Sequence, residues 1–283
     1  FVKYDGTVWT TGYNGNGELG LGDNKNQSAP CKVNIDNVKQ IAVGYTHVLA
    51  LKTDGTVWSF GLNSSGELGI GSNVASSVPV QVLSEVQDED GHYIPLGNIK
   101  EISAGYHLSM ALANDGHIYT WGYGGYGQLG LGSTSTRNVA TKMTAIYDIT
   151  KIEAGQYSGY AINDEGKVYA WGYNRYGQLG DGSNTNRTLP VLVSGLDEVI
   201  DIAATKSYQT FALKADGTVW GFGYATNDAL TDIGGAIPKA LQGVDAGRMR
   251  NISDISGGFY AGSSISDEGK VAVWGTNGYG GLG

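Results

Sequence analysis

The amino-acid sequence predicts an all-β protein built from repeated units of four short antiparallel strands. Glycine accounts for 46 of the 283 residues, more than twice its usual share of about 7%, so many backbone positions need a residue without a Cβ atom. An acidic residue followed by glycine recurs ahead of alternating apolar runs, which is the pattern of a hairpin turn entering a strand. These pairs are Asp5-Gly6, Asp54-Gly55, Asp115-Gly116, Glu165-Gly166, Asp216-Gly217 and Glu268-Gly269.

Each unit contains four predicted strands in a fixed order. Two apolar stretches precede the acidic turn, and the third strand follows it with apolar and polar residues in alternation. A glycine-rich loop then leads to a fourth strand that carries proline, which is typical of the outer edge of a sheet. In the second unit the four strands are Gln40–Gly44, Val48–Leu51, Thr56–Phe60 and Pro79–Val82.

The repeat length identifies the architecture. Third strands close on Gly122, Gly172 and Gly223, about 50 residues apart. Four antiparallel strands in this length are the dimensions of one blade of a β-propeller. We expect a single propeller domain over 1–283 with six repeat units visible, the first and last of them incomplete. The predicted units are 1–37, 38–97, 98–148, 149–198, 199–250 and 251–283.

The loop after the third strand carries the most specific motif, Asn-x-x-Gly-[Glu/Gln]-Leu-Gly-x-Gly. It occurs at residues 14–22, 63–71 and 174–182, and the stretch Val43–Leu51 contains a second characteristic phrase. With these motifs the sequence resembles the regulator of chromosome condensation repeat family. The resemblance implies a β-propeller, most often of seven blades, that acts by binding other proteins. Since only six units are visible, we expect the chain to be part of a longer protein or assembly.

Composition disfavours several classes of partner. The 18 Lys and Arg residues stand against 27 Asp and Glu, a net charge of −9, so nucleic acid is not an expected partner. The family's best-known activity, nucleotide exchange on the small GTPase Ran with chromatin attachment, is disfavoured for the same reason. There is no apolar run long enough for a membrane-spanning helix, and Cys31 is the single cysteine, so no intrachain disulfide is possible.

Neither a catalytic site nor a metal or cofactor site is expected. Phosphate-loop and nucleophile-elbow motifs are absent, and Cys31 has no evident histidine partner. His47 occupies the family's histidine position. The residues at this position in the other repeats are not metal ligands, so we expect His47 to be a hydrogen-bonded core histidine and not part of a metal site. The equivalent residues are Leu108, Ser158, Gln209 and Ala261.

Two further features have structural interpretations. The long second unit contains an acidic insertion within Glu85–Asn98, which we expect to be a solvated, mobile loop rather than a calcium site formed by Asp88, Glu89 and Asp90. A tryptophan in every third strand is expected to pack between blades. The six tryptophans are Trp9, Trp58, Trp121, Trp171, Trp220 and Trp274.

Aromatic residues recur in the loop between the first and second strands. In a propeller these loops surround one mouth of the ring, so their aromatic residues, together with His107, are the candidate partner-binding residues. Packing of each tyrosine against its neighbouring blade is an equally good alternative. A second aromatic set, Tyr126, Tyr176 and Tyr279, indicates either close blade packing or a second contact face. The candidate partner-binding residues are Tyr45, Tyr106, His107, Tyr157, Tyr208, Phe259 and Tyr260.

These observations predict a non-catalytic protein-binding module outside the cell or at its surface. The arrangement is similar to that of the secreted β-lactamase inhibitor propellers, in which aromatic residues of the same loop hold the partner. An architectural segment of a larger surface or fibre protein and a proteinaceous enzyme inhibitor are the alternatives. A guanine-nucleotide exchange factor is a further, disfavoured one.

Overall fold

The computed structural model describes residues 1–224, 235–241, 249–259 and 261–275. All regular secondary structure in this part of the chain is β-strand. The strands belong to two compact units, one formed by residues 1–125 with 133–148 and the other by residues 126–132 with 149–283. Each unit is made of small sheets, which we call blades.

The first unit contains a two-stranded, a four-stranded and a six-stranded sheet. Its strands are β1 (Trp9–Gly12), β2 (Gln27–Lys32), β3 (Val38–Val43), β4 (His47–Lys52), β5 (Val57–Gly61), β6 (Ser76–Gln81), β7 (Leu83–Gln87), β8 (Tyr93–Pro95), β9 (Ile99–Ala104), β10 (Leu108–Ala113), β11 (Ile118–Gly122) and β12 (Arg137–Lys142). The four-stranded blade follows chain order, β3-β4-β5-β6, with antiparallel neighbours.

The second unit contains two four-stranded blades and one of three described strands. Its strands are β13 (Ile149–Ala154), β14 (Ser158–Asn163), β15 (Val168–Gly172), β16 (Arg187–Leu192), β17 (Val199–Ala204), β18 (Gln209–Lys214), β19 (Val219–Gly223), β20 (Gly235–Ala240), β21 (Ile252–Gly257), β22 (Ala261–Ser266) and β23 (Val271–Gly275). These blades also follow chain order.

The acidic insertion is a β-hairpin, so the prediction of a loop was wrong, although residues 85–95 are exposed to solvent as predicted. β7 and β8 pair antiparallel, and β7 lies parallel to β12 through Ser84 and Ala140. The Glu85 carboxylate accepts a hydrogen bond from the backbone N–H of Lys142 at 2.9 Å. The hairpin therefore covers the outer edge of β12 and extends that blade to six strands, in the order β8-β7-β12-β11-β10-β9.

The acidic-glycine pairs lie in turns between second and third strands, as predicted. Gly55 has a φ of 82°, in the left-handed region that favours glycine. Asp54 Oδ1 accepts hydrogen bonds from the backbone N–H of Thr56 at 2.9 Å and from its hydroxyl at 2.7 Å. The same pair of bonds forms at Asp5 and Asp216. A repeated side-chain bond thus supports the same hairpin in several blades.

Two kinds of loop share one end of each blade for which all four strands are described. His47 at the start of β4 pairs with Gly61 at the end of β5, and Gly61 pairs with Ser76 at the start of β6. The loop between first and second strands and the glycine-rich loop between third and fourth strands therefore emerge together. We call this the loop end, and the opposite end, which carries the acidic hairpins, the turn end.

Two blade junctions are fixed by a tryptophan indole N–H. Trp121 Nε1 donates to the backbone carbonyl of Glu67 at 2.8 Å, and Trp171 Nε1 donates to that of Gln128 at 2.9 Å. Each carbonyl lies in the glycine-rich loop of one repeat, and each indole lies in the third strand of the next. Both indoles are fully buried, so the bond forms where water cannot replace it.

The next junction uses different donors because Phe222 stands where Trp171 stands in the preceding blade. The Gln178 carbonyl accepts hydrogen bonds from the Tyr160 hydroxyl at 2.8 Å and the Thr210 hydroxyl at 3.2 Å. Burial raises the pKa of Tyr160 to about 12, so this hydroxyl keeps its proton at neutral pH. Neighbouring side chains thereby replace the missing indole N–H.

The six tryptophans divide into two groups of three. Trp121, Trp171 and Trp274 directly precede the glycine that closes the third strand and are buried, as packing residues should be. The other three lie two positions earlier and are half-buried. There the indole N–H donates to a threonine hydroxyl at the turn, and a lysine ammonium lies over the ring at 4.9 to 5.9 Å from its centre. This second group is Trp9, Trp58 and Trp220.

We expect Trp171→Phe to lower the free energy of unfolding by about 1 to 3 kcal/mol, because the buried Gln128 carbonyl loses its indole donor. Trp220→Phe is the matched control, since its indole bonds to a half-buried turn and its loss should cost less than about 1 kcal/mol. Denaturant unfolding followed by circular dichroism measures both. Equal losses in the two variants would contradict the special role of the buried bond.

Candidate functional site

Six tyrosines are in mutual contact at the loop end of the second unit, and we call them the tyrosine cluster. Neighbouring ring centres lie 5.0 to 6.5 Å apart. The rings meet edge-on or tilted, which is the geometry that the quadrupole of an aromatic ring favours. The cluster consists of Tyr126, Tyr157, Tyr173, Tyr176, Tyr208 and Tyr224.

The tyrosine cluster joins the two aromatic sets that the sequence presents separately. Tyr157 and Tyr208 come from loops between first and second strands, whereas Tyr126 and Tyr176 come from glycine-rich loops. Tyr126 lies 5.2 Å from Tyr157, and Tyr176 lies 5.1 Å from Tyr208. The two sets therefore share one surface in this unit. Tyr279, the third member of the second set, lies outside the described residues.

Two members of the cluster were missed by the sequence analysis. Tyr173 and Tyr224 directly follow Gly172 and Gly223, the glycines that close the third strands. A tyrosine immediately after that glycine was the signal that could have found them. Tyr173 is central to the cluster because its ring contacts four of the other five tyrosines.

The cluster is accessible to solvent. Tyr126 and Tyr176 are each 37% exposed and Tyr224 is 45% exposed, while the other members are half-buried. A contiguous aromatic surface of this kind is unusual on a soluble domain unless it contacts something. The rings are held by loops whose ends are anchored in β-strands, so their positions are set by the fold.

Tyr208 has an unusual backbone conformation, with a φ of 66°. Its loop has four residues between β17 and β18, whereas the equivalent loop between β13 and β14 has three. The Thr205 hydroxyl accepts hydrogen bonds from the backbone N–H groups of Ser207 and Gln209 and so stabilises the longer loop. A left-handed residue other than glycine or asparagine is strained, and such strain concentrates at functional sites.

The first unit carries a smaller aromatic group at its loop end. The rings of Tyr45 and Tyr106 stack with centres 4.0 Å apart, and the His107 ring meets the edge of Tyr106 at 4.7 Å. Tyr45 is 54% exposed. Three of the predicted contact residues are therefore adjacent in space, on loops of two successive blades.

His107 is positioned by a buried carboxylate. Its Nδ1 lies 2.6 Å from Oε1 of Glu67, and Glu67 Oε2 accepts a hydrogen bond from the backbone N–H of Ser65 at 2.8 Å. Burial by itself raises the pKa of Glu67, but the hydrogen bonds from His107 and from backbone N–H groups, with the field of His47, outweigh it and lower that pKa. The carboxylate is thus held in its charged form.

His47 is a hydrogen-bonded core residue, as predicted. Its Nε2 lies 2.9 Å from Ser109 Oγ, and the Ser109 hydroxyl donates to the Glu67 carbonyl at 2.8 Å. A hydroxyl has one proton, so Ser109 accepts its bond from the N–H of His47. Both side chains are buried, and this direction of donation is opposite to the one that would activate a serine nucleophile.

The remaining predicted site residues have different outcomes. Phe259 is 46% exposed and lies beside the tyrosine cluster, where it lines a cavity with Tyr176, Tyr208 and Tyr224. Tyr260 lies outside the described residues. The other five predicted residues are at the loop ends of their blades. They are Tyr45, Tyr106, His107, Tyr157 and Tyr208.

Potential metal ligands meet at one place in the part of the chain that the structure describes. Asp88, Asp90 and His92 offer ligand atoms within 4.8 Å of one another, and all three are exposed. Asp88 Oδ1 already accepts hydrogen bonds from the backbone N–H groups of Asp90 and His92, so these residues are grouped because they stabilise the hairpin turn.

No helix among the described residues has the length and apolar character needed to cross a membrane.

The sequence model for the RCC1-like domain matches residues 1–236. The chain belongs to this family. The finding confirms the resemblance to the regulator of chromosome condensation repeats that was inferred from the Asn-x-x-Gly-[Glu/Gln]-Leu-Gly motifs.

Two plant members of the RCC1-like family are similar in sequence. The ultraviolet-B receptor UVR8 of Arabidopsis thaliana is 29% identical over 140 residues, which are 48% of this chain and 30% of that protein. The mitochondrial RCC1 domain-containing protein RUG3 of the same plant is 32% identical over 198 residues, 66% of this chain and 44% of that protein. The matches thus span less than half of each relative.

Solved RCC1-like structures share the fold. Human WBSCR16 has a TM-score of 0.77 at 22% identity, covering 95% of this chain and 73% of that one. Yeast RCC1 (Prp20), solved bound to Kap60, has a TM-score of 0.59 at 19% identity, covering 98% and 80%. These similarities confirm a β-propeller of four-stranded antiparallel blades. The count of seven blades and the single-domain boundary stay predictions.

A location outside the cell finds no support among these relatives, since RUG3 is named as a mitochondrial protein. The location of this chain therefore stays a prediction, as does the exclusion of nucleic acid from its partners.

We expect Glu67→Gln to reduce the acid sensitivity of folding. The lowered pKa means that ionised Glu67 stabilises the fold above its ordinary pKa of 4.5, and that this contribution is lost as the pH falls through the folded-state pKa. Gln128 and Gln178 occupy the equivalent positions and accept the same backbone bond, so the variant should fold. Thermal unfolding between pH 3 and 7 measures the effect. A variant with the same pH profile as the wild type would contradict this role.

Proposed function

We propose that this chain is a non-catalytic protein-binding β-propeller module and that its partner contacts the tyrosine cluster. The observation that carries the proposal is the cluster itself, six tyrosines in mutual contact and accessible at one end of the second unit. Tyrosine supplies a large contact area at low cost in conformational entropy, as in antibody loops. Tyr45, Tyr106, His107 and Phe259 are proposed as further contact residues.

The distribution of charge in the second unit favours the same surface. Exposed acidic residues such as Glu165, Asp216 and Glu268 lie at the turn end. At the loop end, the Asp181 carboxylate is paired with Arg187 at 2.7 Å. Interface cores are depleted in unpaired charge and enriched in aromatic side chains. The loop end carries the aromatic side chains, with Arg175 exposed beside Tyr176. The turn end carries mainly charged side chains, of which Glu165 and Glu268 are paired with Lys167 and Lys270.

The relatives support protein binding as the general mode of action. Yeast RCC1 (Prp20) is described bound to Kap60, and Prp20p is described with its binding to Gsp1p and histones. Those partners belong to the yeast protein. For this chain, the yeast complexes support a protein as partner. Which protein it binds depends on the side chains of this chain's own loops.

Three other functions are compatible with a propeller. An architectural segment of a larger protein would leave the cluster covered by a neighbouring domain, and an enzyme inhibitor would bind one enzyme through it. A nucleotide exchange factor is disfavoured by the net charge of −9. For the protein-binding module, a location outside the cell or at its surface is part of the proposal.

The test is a pull-down from the native source with the wild type and the double variant Tyr157→Ala/Tyr208→Asn, with bound proteins identified by mass spectrometry. Asparagine is chosen at 208 because it tolerates the left-handed backbone there, so the ring is removed without adding strain. We expect one dominant partner to be lost, since hot-spot tyrosines contribute about 2 kcal/mol each.

Tyr147→Ala provides the matched control. Tyr147 is 68% exposed and lies ahead of β13, in the connection between two repeats, so its loss should leave partner capture unchanged. Thermal unfolding of each variant separates binding from packing. A double variant that captures the same partner as the wild type, or that loses binding only because it unfolds, contradicts the proposal.

A further inference from the structure

The tyrosine cluster borders a small open cavity in the second unit. The cavity has a volume of about 260 Å³. Typical pockets for small-molecule ligands occupy about 300 to 1,000 Å³, so this cavity has room for one side chain of a partner. Its aromatic wall is formed by Tyr176, Tyr208, Tyr224 and Phe259.

Lys206 is the charged residue of this cavity. Among the described residues that line the cavity, no other carries a charge, and the remaining polar side chains are those of Gln156, Ser207 and the tyrosines. A lining with one cation and no carboxylate attracts an anionic group and repels a lysine or arginine. Charge therefore restricts what a partner can place here.

The backbone shows where Lys206 stands in the repeat. Its N–H donates to the carbonyl of Gly258 in the next blade at 3.1 Å, and the N–H of Tyr45 donates to the carbonyl of Gly105 in the next blade at 3.2 Å. Lys206 thus occupies the position that Tyr45 occupies in the first unit. This position is uncharged in the other repeats, where it holds Tyr45, Tyr106, Gln156 and Phe259.

This equivalence places Lys206 next to Phe259. In the first unit the Tyr45 ring stacks on Tyr106, the equivalent residue of the next blade. Phe259 is the residue equivalent to Tyr106 in the blade after Lys206, and both Lys206 and Phe259 line the cavity. A lysine has no ring to stack, so this junction carries a cation where the first unit carries an aromatic pair.

Partial burial decides which acceptor suits the Lys206 ammonium group. Burial lowers its pKa, and the negative field of Glu153 acts in the opposite direction. A partner that covers the cavity removes further water from the ammonium group, which is unfavourable unless the partner supplies an acceptor. Hydrogen bonds between ionised groups are about twice as strong as those between neutral groups, so a carboxylate compensates better than an amide or a hydroxyl.

The charge around the cavity differs in sign from that of the whole chain. The chain has a net charge of −9, whereas cations outnumber anions at the described loop end of the second unit. Asp181 is paired with Arg187 at 2.7 Å, and Arg175 is exposed beside the cluster. This local excess of positive charge favours an acidic segment. The charged residues at this end are Glu153, Arg175, Asp181, Arg187 and Lys206.

A carboxylate fits this cavity better than a phosphate group. Phosphate recognition commonly uses arginines clustered around the anion, because each guanidinium group can bond to two oxygens. The described lining of the cavity contains no arginine, and Arg175 lies outside it. A single ammonium group matches the single charge of a carboxylate.

We propose that this cavity receives the carboxylate of an aspartate or glutamate side chain from the partner protein, with Lys206 as its counter-ion. The proposal rests on the proposed function and adds the chemistry of the partner's contact segment, which is acidic. The aromatic wall packs against the stem of the inserted side chain, and aromatic ring edges, which are positive, are compatible with a nearby anion.

The direct test compares two peptides, acetyl-Ala-Glu-Ala-amide and acetyl-Ala-Gln-Ala-amide, titrated against the full 283-residue chain by ligand-observed NMR at low ionic strength. The glutamate peptide should bind about tenfold more tightly, because the two side chains have nearly the same shape and differ in charge. Equal affinities, or no binding of either peptide at millimolar concentration, would overturn the proposal.

Two further peptides identify the source of the anion. One carries phosphoserine in place of glutamate, and the other is acetyl-Ala-Gln-Ala with a free C-terminal carboxylate. Neither should bind more tightly than the glutamate peptide. Tighter binding of the phosphoserine peptide assigns the cavity to phosphate, and tighter binding of the free C-terminus assigns it to a chain end. Either result contradicts an acidic side chain as the occupant.

Three variants locate the selectivity. Lys206→Met keeps an unbranched side chain without the charge and should reduce the preference for the glutamate peptide to less than about threefold. Lys206→Arg restores the cation and should retain most of the preference, which separates loss of charge from loss of folding. Lys167→Met is the matched control, since it removes one cation at the turn end, where Lys167 pairs with Glu165. An equal loss of preference in Lys167→Met and Lys206→Met would show a general effect of charge and contradict the assignment.

The pull-down separates this inference from the proposed function. If the partner is lost with Tyr157→Ala/Tyr208→Asn but retained with Lys206→Met, the binding surface is correct and the acidic contact is wrong. The partner's aspartates and glutamates are then replaced one at a time by asparagine and glutamine. A replacement that weakens binding to the wild type about tenfold, but leaves binding to Lys206→Met unchanged, establishes the contact. The absence of any such residue contradicts it.

Discussion

The hydrogen bond between blades is the constraint on which the rest of the structure depends. A four-stranded blade cannot bury both of its faces, so it is stable only against a neighbour. The carbonyls of Glu67, Gln128 and Gln178 lie at these junctions and accept bonds from the following blade, from an indole in two cases and from the Thr210 hydroxyl in the third. Because the accepting carbonyl is in the glycine-rich loop, that loop is fixed at one end of the blade. The tyrosines it carries are fixed with it, which connects the stability of the blades to the candidate site.

Local features of the fold were predictable because they depend on residues close in sequence. The Asp54-Gly55 turn and the alternation in Thr56–Phe60 specify a hairpin without reference to the rest of the chain. The two groups of tryptophans can also be distinguished in the sequence. Trp171 directly precedes Gly172, which closes its strand, whereas Trp220 lies three residues before Gly223. The sequence did not predict that the Tyr160 hydroxyl takes the place of the indole donor at Gln178. The hydrogen bonds of Tyr160 with Gln178 and Thr210 have no equivalent in the other repeats, so the repeat pattern does not indicate them.

The candidate site was predictable only in part. The aromatic residues of the loops between first and second strands stand out by their recurrence, but their contacts with Tyr126 and Tyr176 depend on two loops emerging at one end of a blade. The loop that contains Tyr208 is one residue longer than its equivalents in the preceding blades. The repeat pattern therefore does not predict the conformation of Tyr208. The hairpin at residues 83–95 is a further example. Its acidic tip indicates solvent, whereas the pairing of Ser84 with Ala140 depends on the next blade.

That hairpin also changes which backbone the molecule presents to other chains. The five prolines are Pro30, Pro79, Pro95, Pro190 and Pro238, and each lies in the outermost strand of its sheet, where a missing N–H interrupts the row of groups available for pairing. Among the fourth strands that the structure describes, β12 alone has no proline, and β12 is the strand that the hairpin covers. The new outer strand, β8, ends at Pro95. Among the described fourth strands, the insertion therefore covers the one outer edge that no proline interrupts, and so limits edge-to-edge pairing with other chains there.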